Sequence, residues 1–119
     1  MKKNPKSPIK IELKSLNDTR LFNDVVLQLE KDINLTGIGH DGLKFQNPSQ
    51  CLTSLYELIK SNLIHNPENV RSLLYRVDLD EAIFNQLLHS FESEEKFLNE
   101  VVKLVLMREL QKVINRGKY

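Results

Sequence analysis

The chain has 119 residues, of which 40% are hydrophobic and 28% are charged, and its 17 basic residues nearly balance its 16 acidic ones. This length and composition predict one globular domain with its own core and argue against wholesale disorder. A single cysteine excludes a disulfide within the chain, and a net charge of +1 gives no general attraction to nucleic acid or anionic lipid.

The first residues lack the pattern of an export signal, because Asn4, Pro5 and Lys6 follow the basic start where an apolar run is required. The longest apolar run, residues 104–107, is four residues long, against about twenty for a membrane helix. We therefore expect a cytoplasmic protein without a membrane segment. Cys51 would stay reduced in that compartment.

The N-terminal residues divide into a mobile basic tail, 1–8, and the start of a single helical domain that covers 9–119. Ile9, Ile11 and Leu13 alternate with charged residues, which is the period of a strand. Since an isolated strand is marginal and the one candidate partner is 43–45, we favour an extended arm lying on the helices.

Beyond residue 17 the apolar residues return every three or four positions, and this period predicts a first helix. Asp18 can cap its start, and Gly37 lies just past its end. The predicted buried stripe is Leu21, Phe22, Val25, Val26, Leu29 and Ile33.

Two Asn-Pro pairs mark the next two helices. Asn47 and Pro48 are a capping residue and a favoured first helical residue. Asn66 and Pro67 repeat this start signal and also end the second helix, because a residue before proline is pushed out of helical geometry. The two stripes are Cys51, Leu52, Leu55, Tyr56, Ile59 and Leu63, then Val70, Leu73, Leu74 and Val77.

The last two helices also carry start signals. Asp78 and Glu81 have the spacing of a capping box, and Ser93, followed by two glutamates, can cap a final helix that runs to about Asn115. The fourth stripe is Ile83, Phe84, Leu87, Leu88 and Phe91. About five helices with short links predict an all-α, bundle-like domain with an extended N-terminal arm.

The last helix changes its apolar side halfway along. Residues 97–105 place one stripe on one arc, whereas the later apolar residues lie on an arc rotated by roughly 150°. A second copy of the chain or the N-terminal segment could cover the second arc. The expected interface residues are Met107, Leu110, Val113 and Ile114.

Arg108, Lys112 and Arg116 form a row on the opposite side of that second half. A solvated face, whose cations suit the negative end of the helix, is the plainer interpretation. The alternative is a docking surface for an acidic partner or for phosphates, which three cations without interleaved aromatic residues support weakly.

The loop 36–46 is longer than a typical connection in a bundle. Its letters Gly-Ile-Gly-His-Asp-Gly match a dinucleotide fingerprint, but that mechanism needs a strand before and a helix directly after. We therefore reject the nucleotide interpretation. His40 and Asp41 are the candidate ligand-binding residues of a small-molecule site in this loop.

Metal and catalytic sites are not expected, and no cofactor is predicted. The candidate ligands His40, Asp41, Cys51, His65 and His89 lack the spacing of local neighbours. Cys51 lies on an apolar stripe, where an inert thiol is usual, and no acid-base pair can be assembled. The helix 79–91, in the position of a DNA-recognition helix, begins with acidic residues and contains no lysine or arginine, so nucleic acid is not an expected partner.

Residues 73–81 and 108–112 are similar to segments of small uncharacterised bacterial helical proteins. The resemblance covers about the last half of the chain and implies a bacterial cytosolic setting without a function. Tyr75 and Arg76 would form a polar bracket between helices, although packing at a helix junction explains them as well.

These observations lead to two hypotheses about function. The first is a helical protein-protein interaction module that self-associates as a homodimer or binds another protein. The alternative is a small-ligand-binding or catalytic domain that uses the loop 36–46. An enzyme is the less favoured class.

Overall fold

The computed structural model describes residues 13–38, 45–90 and 92–118, and every regular element in them is helical. A 3-10 helix, Leu13–Asn17, precedes five α-helices. They are α1 (Thr19–Asn34), α2 (Pro48–His65), α3 (Pro67–Arg76), α4 (Glu81–Ser90) and α5 (Glu94–Val113), with a π-helical turn at Ile114–Lys118. The predicted all-α fold of about five helices is confirmed.

The N-terminal arm is only partly testable, because residues 1–12 and 39–44 lie outside the described residues. They include the predicted tail and most of the candidate strand and its partner. From Leu13 onward the chain is a 3-10 helix and not an extended arm. Leu16 is buried in the core and ties this short helix to the domain.

Three predicted helix starts are confirmed by side-chain caps. Asp18 accepts a hydrogen bond from the amide of Leu21 at 3.0 Å. Asn47 and Ser93 accept from the amides three residues further on, at 2.9 and 3.2 Å respectively. Each cap satisfies an amide that has no partner within its own helix.

The predicted capping box at Asp78 is wrong. Asp78 has a left-handed φ of 66° and lies just past α3, where its amide donates to the carbonyl of Tyr75 and the Leu79 amide donates to that of Leu74. These two bonds form a Schellman motif, which ends a helix. The cap of α4 is Asp80, whose carboxylate accepts from the amide of Ala82 at 2.9 Å.

Helix α5 packs against α1, α2, α4 and the 3-10 helix. Its buried residues recur every four positions, whereas a helical turn takes about 3.6, so the buried stripe drifts by about 40° per four residues. Between Phe97 and Val113 this drift adds up to about 160°. The buried residues are Phe97, Leu98, Val101, Val102, Val105, Leu106, Glu109, Leu110 and Val113.

This drift accounts for the change of apolar side that the sequence shows. Leu110 and Val113 are 0% and 1% exposed within the single chain, while Met107 and Ile114 are half-buried. The chain itself covers Leu110 and Val113 and part of Met107 and Ile114, which weakens the reason for placing a contact between copies there.

Helix α4 is the most weakly buried of the five. Phe84 is its one buried residue, packed edge-on against Phe97 of α5 with ring centroids 5.6 Å apart. Ile83 and Leu88, predicted to lie in the core, are 39% and 42% exposed. Phe91 lies outside the described residues. Helix α4 therefore leaves apolar surface uncovered.

Candidate functional site

The interface of α1 and α5 contains a buried polar cluster. Glu109 of α5 is 0% exposed and Asp32 of α1 is 3% exposed. The ammonium of Lys112 lies 2.8 Å from Asp32 Oδ2 and 3.3 Å from Glu109 Oε1. Gln28, one turn before Asp32, donates to the same carboxylate at 3.1 Å. Two carboxyl groups thus share one ammonium inside the core.

The two carboxyl groups of this cluster have opposite pKa shifts. Burial, together with the neighbouring Asp32 carboxylate, raises the pKa of Glu109 from 4.5 to about 8. Burial also raises the pKa of Asp32, but hydrogen bonds from Glu109, Lys112 and Gln28 outweigh it and hold that pKa below 3.8. These opposite shifts favour a protonated Glu109 beside an ionised Asp32.

The predicted charged row is used mostly within the chain. Arg108 donates to the carboxylate of Asp78 at 3.0 Å, and Lys112 donates to the carbonyl of Arg76 at 3.0 Å as well as to Asp32. Arg116 is exposed. Two of the three cations therefore clamp the turn between α3 and α4 onto α5.

A cleft of about 290 Å³ opens between α3 and α4. Each helix contributes residues at spacings of three and four, which is one helical face. The lining is apolar in part, and it also includes Arg71 on α3 and Glu81 on α4. The lining residues are Arg71, Leu74, Tyr75, Leu79, Glu81, Phe84 and Asn85.

The surface around this cleft exposes large side chains. Tyr75 is 81% exposed, which makes it a projecting side chain rather than a bracket packed between helices. Leu88 is 42% exposed and lies one helical turn beyond Phe84, on the same face of α4. An exposed aromatic ring next to apolar surface is typical of a contact with another molecule.

The loop 36–46 is described only at its ends. Thr36 is buried, where its hydroxyl donates to the carbonyl of Ile33 and accepts from the amide of Ile38. Gly37 has a φ of 85°, a conformation that glycine adopts without strain. His40 and Asp41 lie outside the described residues, so the small-ligand site stays a prediction.

The other candidate metal ligands lie apart in the described structure. Cys51 is buried, and burial raises the pKa of its thiol to about 12. His65 and His89 are exposed, and each ring is hydrogen-bonded to the carbonyl four residues earlier in its own helix. Within residues 13–38, 45–90 and 92–118, no three His, Cys, Asp or Glu side chains are grouped to bind a metal ion.

The sequence reasoning missed both the buried cluster and the cleft. Glu109 lies four residues after Val105 and four before Val113, so a four-residue period along α5 would have placed it on the buried stripe. The cleft has no comparable signal, because Leu88 has the helical spacing of a core residue and Tyr75 was interpreted as part of a bracket between helices.

Comparison of the chain with protein-family models, with curated proteins and with solved structures found no match. In the described parts of the chain, no helix has the length and apolar content needed to span a membrane. The buried cluster and the α3–α4 cleft are therefore the two features from which a function can be proposed.

Proposed function

We propose that the protein is a helical interaction module that self-associates through the surface around the α3–α4 cleft. The observation that carries the proposal is the exposed apolar surface there, above all Tyr75 at 81% exposure beside an apolar cleft. Full burial of a large apolar side chain contributes roughly 1.5 to 3 kcal/mol. Covering Tyr75, Leu88 and the cleft floor would therefore favour association.

The charges at the cleft favour a second copy of the chain as the occupant. In a twofold-symmetric contact, a residue that touches another across the interface is touched by that residue in return. Arg71 on α3 and Glu81 on α4 both line the cleft and carry opposite charges. Two copies related by a twofold axis can set each Arg71 against the partner's Glu81, so the surface is complementary to itself in charge as well as in apolar character.

The proposal moves the predicted contact from α5 to α3 and α4. Leu110 and Val113 are already covered by their own chain, and a contact through them would require the core to open. The α3–α4 surface is exposed in the folded chain, so two copies can meet there without rearrangement.

Light scattering across a hundredfold range of concentration tests the proposal. The wild type is expected to be a dimer at the higher concentrations. The double variant Tyr75→Glu with Leu88→Glu should be a folded monomer, because it sets like charges against each other in a symmetric contact.

The matched control is Leu27→Glu with Ile64→Glu. These leucine and isoleucine side chains are each 64% exposed on α1 and α2 and do not line the cleft, so this variant should remain a dimer. A wild type that is monomeric at every concentration would refute self-association. Equal loss of the dimer in both double variants would refute the α3–α4 surface as its location.

A further inference from the structure

The buried cluster has one more acidic group than it has cations. With Asp32 and Glu109 both ionised, Lys112 would be the single positive charge facing two buried carboxylates. Neither oxygen of Glu109 forms a hydrogen bond, although the Lys112 ammonium lies 3.3 Å from Oε1. Buried polar groups in folded proteins are nearly always hydrogen-bonded, so this arrangement requires an explanation.

A proton on Glu109 explains this arrangement. The protonated carboxyl group becomes a donor, and Asp32 is the neighbouring acceptor. The remaining charges, one carboxylate and one ammonium, then cancel. Lys112 is 25% exposed along its side chain, so the cluster reaches solvent at one edge, where a proton can enter or leave.

We propose that Asp32 and Glu109 form an internal proton-binding site whose loss of a proton to solvent releases the turn between α3 and α4. In the protonated form of the cluster, the two carboxyl groups share one proton. When it leaves, two carboxylates compete for Lys112 and draw its ammonium away from the carbonyl of Arg76, which it contacts at 3.0 Å. That carbonyl belongs to the last residue of α3, within the Schellman motif that spans residues 74–79.

The charged groups around Glu109 fit this assignment. Asp32 faces it from α1 and disfavours its ionisation, while Lys112 on its own helix favours it. Helix α3 contributes the uncharged carbonyl of Arg76 through Lys112. Arg108, the preceding residue, is directed to Asp78 and Gln111. Burial and the Asp32 carboxylate raise the pKa of Glu109, and the Lys112 ammonium lowers it by less. Glu109 therefore retains its proton.

Release of the turn should also weaken self-association, an expectation that rests on the proposed function. The turn carries Leu79, which lines the cleft together with Leu74 and Phe84. A looser turn would alter the cleft floor, so the dimer should weaken as the pH rises past the point at which Glu109 ionises.

Two measurements test the proton site without reference to the dimer. Carbon-13 NMR of labelled carboxyl groups, with the resonance of Glu109 assigned by its absence in Glu109→Gln, should show titration above pH 7. Hydrogen exchange should show protection of the Asp78 and Leu79 amides falling at least about tenfold between pH 6 and pH 9 in the wild type. In Glu109→Gln, which mimics the protonated state, protection should not change.

Asp32→Asn is a second variant that retains hydrogen bonding at the site. It removes the like charge and leaves Lys112 to Glu109, so the titration of Glu109 should move at least about one pH unit lower. The control is Glu100→Gln on the exposed side of α5, which should retain the wild-type behaviour.

Titration of Glu109 below pH 6 in the wild type, or equal loss of turn protection in Glu109→Gln, would overturn the proposal. Light scattering at pH 6 and pH 9 separates it from the proposed function. A chain that is monomeric at both pH values but loses turn protection on titration of Glu109 refutes the dimer and supports the proton site. A dimer that persists without any titration of Glu109 above pH 6 refutes the proton site alone.

Discussion

Replacing Glu109 by glutamine should change how the stability of the protein depends on pH. The folded state raises the pKa of Glu109 from 4.5 to about 8, so between these pH values it binds a proton that the unfolded chain has released. The free energy of unfolding must then fall as the pH rises, by at most about 1.4 kcal/mol per pH unit for this one group. Glutamine cannot ionise and removes this dependence.

The expected size of the effect follows from the same two pKa values. Between pH 5 and pH 7.5 the Glu109 contribution to the free energy of unfolding falls by about 3 kcal/mol. A domain of this size is stable by roughly 5 to 15 kcal/mol in all, so the change is large enough to measure. The lowered pKa of Asp32 acts in the opposite direction, and its contribution is lost only as the pH falls below 4.

Urea denaturation followed by circular dichroism, at intervals from pH 5 to pH 8.5, measures this difference. Glu109→Gln should gain stability relative to the wild type by about 3 kcal/mol between pH 5 and pH 7.5. Other titrating groups are common to both proteins and cancel in the comparison. Glu100→Gln, which alters an exposed pair with Lys103, should run parallel to the wild type. If the Glu109→Gln and wild-type curves are also parallel, Glu109 is ionised in the folded protein and the argument fails.

Three further predictions concern single residues. Cys51 should react with a thiol reagent at pH 8 far more slowly in the folded protein than in urea, because it is buried and the pKa of its thiol is raised to about 12; equal rates would mean that the thiol is accessible. Asp80→Ala should lower the free energy of unfolding by about 1 kcal/mol through loss of the α4 cap, measured by urea denaturation. Asp78→Asn should change it by less, because asparagine also tolerates a left-handed backbone and the partner ion pair with Arg108 is exposed. A larger loss of stability in Asp78→Asn than in Asp80→Ala would indicate that Asp78 caps α4 after all.

The helix starts were predictable because their cause is local. Asp18, Asn47 and Ser93 each accept from an amide three residues away, so the sequence next to each cap contains all of the interaction. Asp78 shows the limit of that approach. Two aspartates lie within reach of the start of α4, and the end of α3 decides between them by placing Asp78 in a left-handed conformation.

The buried cluster was not predictable from any local pattern. Asp32 and Lys112 are 80 residues apart in the chain, and each lies among residues that are ordinary on an exposed helix face. Their meeting depends on how α1 packs on α5. The change of apolar side along α5 left two interpretations open for the same reason, since the sequence does not show whether a second copy or the chain itself covers Leu110 and Val113, which are buried within the single chain.

The drift of the buried stripe along α5 and the buried proton site have a common physical origin. A helix at the edge of a bundle keeps one side in solvent and can leave its charged residues there. Because α5 is buried along a stripe that drifts by about 160°, positions in its second half that would be exposed on a straight stripe become internal, and Glu109 is one of them. Its burial is tolerated because the same drift turns it toward Asp32 of α1, beside Lys112 of its own helix. The position of α5 among its neighbours therefore explains both why an acidic residue is buried and why it retains a proton.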